Sequence, residues 1–206
     1  MIDQLDRGMR DSVGTVPDIG EGNLPALHHR LARLARGRGM LDVAYRTVDS
    51  PVGALLLAGT ECGLVRVAYA NEGHEAVLAR LASEISPRIL RTPARLDAAA
   101  RQLDEYFTGR RVRFELPVDL RLALGFRREV LTRLPDIAYG GTASYQRVAA
   151  AAGRPRAARA VGTACASNPL PIVLPCHRVV HSDGNPGNYL GGAGTKRALL
   201  TLEATR

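Results

Sequence analysis

The sequence is poor in cysteine and has almost no lysine. Three cysteines occur in 206 residues, Cys62, Cys165 and Cys176, and no two of them form a CxxC pair. A sparse, odd-numbered set argues against a disulfide framework and against a structural zinc site. It leaves room for one reactive thiol in a reducing compartment. No stretch approaches the roughly 20 consecutive apolar residues that a membrane helix requires. The opening MIDQLDRGMRDSVG has neither the basic start nor the apolar core of a secretory signal. The expectation is therefore a cytoplasmic protein with no membrane partner. With 46% apolar residues, the chain can bury the core of one or two domains.

Lys196 is the only lysine, so arginine carries nearly all the positive charge. That charge is unevenly placed. Residues 121–206 hold twelve basic residues against four acidic ones (Glu129, Asp136, Asp183 and Glu203), a balance of +8 that equals the net charge of the whole chain. The first 120 residues are therefore neutral in sum. A general arginine bias would spread the excess evenly, whereas a basic second half beside a neutral first half points to a polyanion-binding surface there.

Hydrophobic periodicity divides the chain into three parts. Residues 1–40 open with Gly, Pro and acidic residues and continue as ALHHRLARLARGRG, with Leu27, Leu31 and Leu34 near helical spacing. His28 and His29 have no companion ligands there and read as surface residues. This part is expected to be a loose extension. Residues 41–120 alternate as a small α/β domain. DVAYRTVDS, GALLLAG and GLVRVAYA read as strands separated by turns, HEAVLARLASEI and LDAAARQLDEYFTG as helices, and RFELPVDL as an edge strand with Pro117 inside it. In the second helix Leu96, Ala100, Leu103 and Phe107 share a face. Residues 121–206 turn helical. GFRREVLTRL ends at Pro135, Thr142 or Ser144 can cap SYQRVAAAAG, and Pro155 suits the entry of RAARAVGTACA. Two short helices joined by Gly153-Arg154-Pro155 read as helix-turn-helix. The second is nearly all Ala, Gly and Arg, which lets a backbone approach a ligand surface while Arg156 and Arg159 reach outward.

The chemistry concentrates in ASNPLPIVLPCHRVV, an apolar, proline-punctuated segment that reads as extended and carries one thiol beside one imidazole. A thiol attacks as its thiolate and needs a base or a positive field nearby. Neighbouring side chains of an extended segment face opposite ways, so Cys176 and His177 would need a water or a turn to cooperate. Glu203 is the natural late carboxylate to orient the imidazole. Buried inert cysteines are common, and a Cys-His pair alone does not establish catalysis.

PCHRVV, preceded by Asn168-Pro169 and followed by Gly187-Asn188-Tyr189-Leu190-Gly191-Gly192, resembles the active-site region of the O6-alkylguanine-DNA alkyltransferases. Ser144-Tyr145-Gln146 and Ala157–Gly162 are similar to that family's helix-turn-helix, KRALLTLE (196–203) to its closing helix, and Ser50-Pro51-Val52-Gly53 to its first hairpin. The resemblance runs from about Ala44 to Glu203. It implies an α+β fold, with a small ribonuclease-H-like α/β N-terminal domain and a helical winged helix-turn-helix C-terminal domain. It also implies a suicide repair reaction that moves an alkyl group from O6-alkylguanine in double-stranded DNA to Cys176, without cofactor or metal, by a monomer. Glu203 would orient His177, which would draw off the thiol proton through water. Asn168 would brace the turn, and Tyr145 would donate to guanine N3. Arg159 would fill the space left by the flipped base. The carbonyls of Cys176 and Val179 would read the guanine amino group. Tyr189 and Leu190 would close the pocket, and Arg127, Gln146, Arg154 and Ser182 would touch the DNA backbone.

Two positions depart from the family pattern, Leu131 in place of Trp and Gly141 in place of an acidic residue, and both are expected to alter packing rather than chemistry. Cys165 reads as a packing residue and Cys62 as an incidental turn residue. A binding-only relative, which lacks the acceptor thiol, and a helix-turn-helix regulator are the competing readings. A thiol hydrolase finds no recognisable oxyanion loop. Met40 immediately precedes the first foldable segment, and translation is expected to start there. Intact mass of the protein from its native host checks this, since a species carrying residues 1–39 would refute it.

Overall fold

Three short β-branched and leucine-rich runs separated by tight turns can satisfy their backbone only by pairing with one another. A computed structural model describes residues 39–205, together with Ala26, Leu27, Arg30, Leu31 and Leu34 of a helical stretch ahead of them. The expected N-terminal extension, with His28 and His29, otherwise lies outside the described residues. β1 (Val43–Val48), β2 (Leu55–Thr60) and β3 (Gly63–Tyr69) form an antiparallel meander. A short β4 (Ile89–Arg91), not foreseen in the sequence, joins parallel to β1 and completes the order β3-β2-β1-β4. The crossover is α1 (His74–Glu84).

β2 is buried along its whole length, and its side chains alternate between two cores. Leu56 and Ala58 meet Val77 and Leu81 of α1. Leu55 and Leu57 meet Leu96 and then Ala99, Leu103 and Tyr106 of α2 (Asp97–Phe107). A register shift at Ala58/Gly59 changes the parity of β3, so that Val65 falls on the α1 side and Leu64 on the α2 side. The buried stripe of α2 runs through Ala99, Gln102, Leu103 and Tyr106. It is rotated from the expected one, leaving Ala100 and Phe107 only partly buried.

RFELPVDL does not form a strand. A single parallel bridge links Leu64 to Val118, with Leu64 N–H donating to the Pro117 carbonyl at 2.9 Å and Asp119 N–H to the Leu64 carbonyl at 2.8 Å. Extending that ladder backward would need an N–H from residue 117, which proline lacks. The segment still covers the outer edge of β3, and further along Val67 N–H donates to the Pro169 carbonyl at 2.8 Å. The edge strand is thus closed by residues 117–119 and, further along, by Pro169 from the second half of the protein.

The second half is built on α3 (Phe126–Arg133), α4 (Tyr145–Ala151), α5 (Ala158–Ala166) and α6 (Ala193–Ala204), with a two-residue parallel pair, β5 (Ala143–Ser144) and β6 (Val179–Val180), behind them. Ser144 caps α4 by accepting from Arg147 N–H at 3.1 Å. Gly153, at φ 75°, ends α4, with Arg154 N–H returning to the Ala149 carbonyl at 2.9 Å. Pro155 does not enter α5 as expected. It lies in the 154–157 turn, which Ala157 N–H closes onto the Arg154 carbonyl at 2.9 Å, and α5 starts three residues later. Leu131 is fully buried, so the departure at that position is absorbed by the core. One apolar cluster runs from Leu55 and Leu103 through Leu131 and Val161 to Leu170, Leu174 and Cys176.

Gly63 is the tightest point of the joint between the edge strand and residues 117–119. Its φ is 137°, and a Cβ there would sit 2.2 Å from the Pro117 carbonyl oxygen. Gly63→Ala is expected to destabilise the chain by at least ~2 kcal/mol, because the obstacle is backbone. An unchanged urea midpoint would contradict this.

Candidate active site

The loop before Cys176 is a chain of turns rather than the extended run expected from its prolines. Ile172 adopts φ 72°, the one non-glycine residue at positive φ among those described, and it is β-branched and buried. Such a conformation persists only where its surroundings over-determine it. Here Asn168 does so. Its Oδ1 accepts from Leu170 N–H at 2.9 Å, and its Nδ2 donates to the Leu174 carbonyl at 2.8 Å and to Cys176 Sγ at 3.1 Å. Both ends of the amide are assigned by these partners. Cys176 then opens a single 3-10 turn (Cys176–Arg178), which places the thiol and the imidazole on a bend instead of opposite faces of a strand.

Cys176 is buried, and burial pushes its thiol up to about 11 against the Asn168 hydrogen bond and the field of Lys196. The resting group is a thiol, so reaction requires a base. Desolvation also lowers the basicity of His177, which is wholly buried and therefore neutral. Its Nε2 lies 2.8 Å from Glu203 Oε1. Burial opposes ionisation of Glu203, but bonds from His177 and Arg178 outweigh it and hold the carboxyl at about 2. A carboxylate only accepts, so the imidazole proton sits on Nε2 and the lone pair on Nδ1. Nδ1 is buried without a hydrogen-bond partner. Arg178 grips the other side of Glu203, Nε to Oε2 at 2.8 Å and Nη2 to Oε1 at 3.0 Å.

Above Cys176 lies a cleft of about 780 Å³. Ala158, Gly162, Thr163 and Ala166 of α5 form one wall, and Asn188, Tyr189 and Leu190 the other, with Arg159 and Tyr145 also on the lining. A Cβ at position 162 would lie 3.9 Å from the Tyr145 ring, in ordinary van der Waals contact.

Two family models match this chain, "6-O-methylguanine DNA methyltransferase, ribonuclease-like domain" over residues 43–120 and "6-O-methylguanine DNA methyltransferase, DNA binding domain" over residues 125–205. The chain is 38% identical over 164 residues to a methylated-DNA–protein-cysteine methyltransferase of Mycobacterium tuberculosis, covering 80% of this chain and 94% of the relative. The chain belongs to the 6-O-methylguanine DNA methyltransferase family. The Homo sapiens methylated-DNA–protein-cysteine methyltransferase is 40% identical over 80% of this chain and 82% of its own length. A crystal structure of the M. tuberculosis protein in complex with DNA superposes with a TM-score of 0.69 at 38% identity, covering 79% of this chain and 93% of that one. The α+β fold, a ribonuclease-like sheet unit followed by a helical DNA-binding unit, is that of the family.

Most residues singled out in the sequence converge here. Cys176, His177, Glu203 and Asn168 form one buried cluster, with Tyr145, Arg159, Tyr189 and Leu190 around the cleft. Val179 is buried, and its carbonyl accepts from Lys196 Nζ at 2.7 Å, leaving its second lone pair available. Gln146, Arg154 and Ser182 are exposed, with Arg154 stacked 4.9 Å over the Phe126 ring. Arg127 stands apart from the cleft. Its guanidinium donates to the Leu122 carbonyl and reaches Ser167 Oγ at 3.5 Å.

Sequence reading missed four side chains. Arg178 sits within the quoted PCHR, but nothing in one sequence shows that its charge turns inward. Tyr106 of α2 donates its hydroxyl to Glu203 Oε1 at 2.7 Å. Tyr69 at the end of β3 pairs with the Tyr189 hydroxyl at 2.8 Å. His181 lines the cleft with its ring centroid 5.2 Å from that of Tyr145. The two tyrosines come from the sheet unit, 120 and 97 residues from their partners, a distance no local pattern spans. Cys165, as expected, packs into the core, although it also touches the cleft. Cys62 is exposed in its turn.

His177 and Glu203 both bind a proton more weakly in the folded chain than in the unfolded one. Their contribution is complete at neutral pH and is lost on acidification, for His177 as pH falls below 6.5 and for Glu203 between 4.5 and about 2. The Glu203 step is on the order of 3 kcal/mol. Glu203→Gln is expected to lose roughly 3 kcal/mol at pH 7, by stranding the buried Arg178 charge, and to flatten that acidic step. Urea titrations from pH 7.5 to 2 check it, and parallel curves for the two proteins would refute it.

Proposed function

We propose that this chain repairs DNA by moving an alkyl group, typically methyl, from O6 of guanine to Cys176 Sγ, once per protein molecule. The observation that carries the reading is a buried thiol at the floor of the α5 cleft, beside a neutral imidazole whose Nδ1 is free and whose Nε2 is tied to a carboxylate.

The O6 atom of guanine is paired within a duplex, so the base must leave the stack, at a cost of a few kcal/mol that is smaller for a damaged pair. Arg159, exposed at the cleft edge on α5, suits the role of filling the vacancy. Small residues along α5 permit a close approach to a groove, and a minor groove with its degenerate code suits a protein that must scan any sequence. Gln146, Arg154 and Ser182 are exposed for backbone contacts. Arg127 would have to release the Leu122 carbonyl to join them.

In the reaction a water between Cys176 and His177 passes the thiol proton to Nδ1, and Glu203 stabilises the resulting imidazolium. The sulfur lone pair forms a bond to the alkyl carbon as the carbon–O6 bond breaks, and its electron pair passes to the purine. Tyr145 offsets that charge by donating to N3, while the carbonyls of Cys176 and Val179 hold the amino group. Tyr189 and Leu190 close the cleft. The thioether product has no ready return to thiol, so turnover is single and no cofactor enters. O4-alkylthymine is a second substrate on the same chemistry. The reading takes the chain as a cytoplasmic monomer, with residues 1–40 an extension, 41–120 the ribonuclease-H-like domain, and 121–206 the winged DNA-binding and acceptor domain. No helix among the described residues is long and apolar enough to cross a membrane.

Incubation with an O6-methylguanine duplex should add one methyl group, mapped to Cys176 by mass spectrometry. Cys176→Ala should bind the lesion and gain nothing. Lesion-selective binding by the unaltered chain without mass gain would instead identify a binding-only protein. Arg159→Ala should slow transfer from duplex roughly tenfold or more while sparing the free base. Equal losses on both substrates would remove its wedge role.

A further inference from the structure

The orienting carboxylate of the acceptor site is held from outside the DNA-binding half. Tyr106, on α2 of the sheet unit, is completely buried, with its ring 5.4 Å from Phe114 and 6.2 Å from Tyr139. Its hydroxyl lies 2.7 Å from Glu203 Oε1, the oxygen that also takes His177 Nε2 at 2.8 Å and Arg178 Nη2 at 3.0 Å. Since Glu203 is ionised, the phenol is the donor. Oε2 takes Arg178 Nε at 2.8 Å and Gly140 N–H at 3.3 Å. Five donors from three segments thus leave the carboxylate one orientation.

We propose that Tyr106 is a positioning residue for alkyl transfer: its hydroxyl shares Oε1 with His177, limits the negative charge that oxygen presents to the imidazole, and so keeps Nδ1 unprotonated and available as the base. The proposal rests on the repair reading above. It makes the sheet unit part of the proton relay rather than a support for it. The groups facing His177 are Glu203 and Lys196 from α6, Arg178 and Cys176 from its own turn, Tyr189 from the cleft wall and Tyr106 from α2. Among these, only Tyr106 competes with the imidazole for Oε1 without carrying charge. Removing its proton donor concentrates negative charge on Oε1 and favours the imidazolium. The base is then occupied to higher pH.

Tyr106→Phe in the full chain keeps the ring and removes only the bond. Single-turnover methyl transfer from an O6-methylguanine duplex should slow roughly tenfold at pH 7, and the acidic limb of its pH profile should move to higher pH, with DNA affinity unchanged. Phe114→Leu, which loosens the same ring without touching the bond, should leave the limb in place. In a long-range ¹H–¹⁵N spectrum of histidine-labelled protein, His177 should be the neutral Nε2–H form at pH 7 in the unaltered chain and move towards the imidazolium in Tyr106→Phe. The unaltered chain alone should also show a slowly exchanging tyrosine hydroxyl proton close to the His177 ring. An unmoved limb and an unchanged His177 protonation state in Tyr106→Phe, an equal shift in Phe114→Leu, or the absence of that hydroxyl signal would overturn the proposal. A chain that transfers no methyl but shows the change in His177 protonation on Tyr106→Phe would refute the repair reading and leave the positioning role standing.

Discussion

The carboxylate of Glu203 is the group on which the second half of the molecule converges. A buried anion is tolerable only when its charge is matched and its lone pairs are filled. Glu203 meets both conditions with Arg178 as counter-ion and with donors from Tyr106, His177 and the Gly140 backbone. Each of those donors lies on a different element: α2, the turn of Cys176 and the segment before β5. Satisfying one side chain therefore fixes where α6 lies against the sheet unit, which tautomer the imidazole adopts and how the acceptor turn is oriented. The same bonds that stabilise the anion specify the site.

Around this centre the thiol is kept in an environment that opposes its ionisation. Burial alone would leave Cys176 inert, and the Asn168 hydrogen bond is the largest of the influences that counteract it, followed by the field of Lys196. A reactive thiolate held permanently at a surface would be open to oxidation and to chance electrophiles. Under the proposed mechanism, a thiol raised by burial becomes nucleophilic only when a substrate and a water complete the path to the neutral imidazole.

The sheet unit contributes more than its own core. Its edge strand is capped by Val118 and Pro169, Tyr69 ties the end of β3 to Tyr189 in the cleft wall, and Asn71 donates to the Leu190 carbonyl at 3.1 Å. The strained loop through Ile172 is thereby clamped between the sheet and Asn168. Strain of this kind is stable only inside a rigid surround, which accounts for a single apolar cluster spanning both halves.

Several features could be read from the chain alone because they depend on near neighbours. The short apolar runs of GALLLAG and GLVRVAYA gave strands, and the Ser144 cap and Gly153 gave the ends of α4. The ordered motifs around PCHRVV singled out Cys176, His177, Asn168 and Glu203, which the fold gathers into one buried cluster. Where local signals misled, the cause was also local. Pro117 ended a strand that β-propensity favoured, Pro155 served a turn rather than a helix start, and prolines around Ile172 produced turns where extension was expected. What only the tertiary structure decided is the set of partners brought together from distant elements. Tyr106 and Tyr69 look like ordinary core tyrosines in sequence, and Arg178 looks like one more basic residue of a nucleic-acid-binding half. Their roles arise because an unpaired buried carboxylate and an unpaired buried hydroxyl are each too costly to leave alone, and folding is the step that brings the partners within reach.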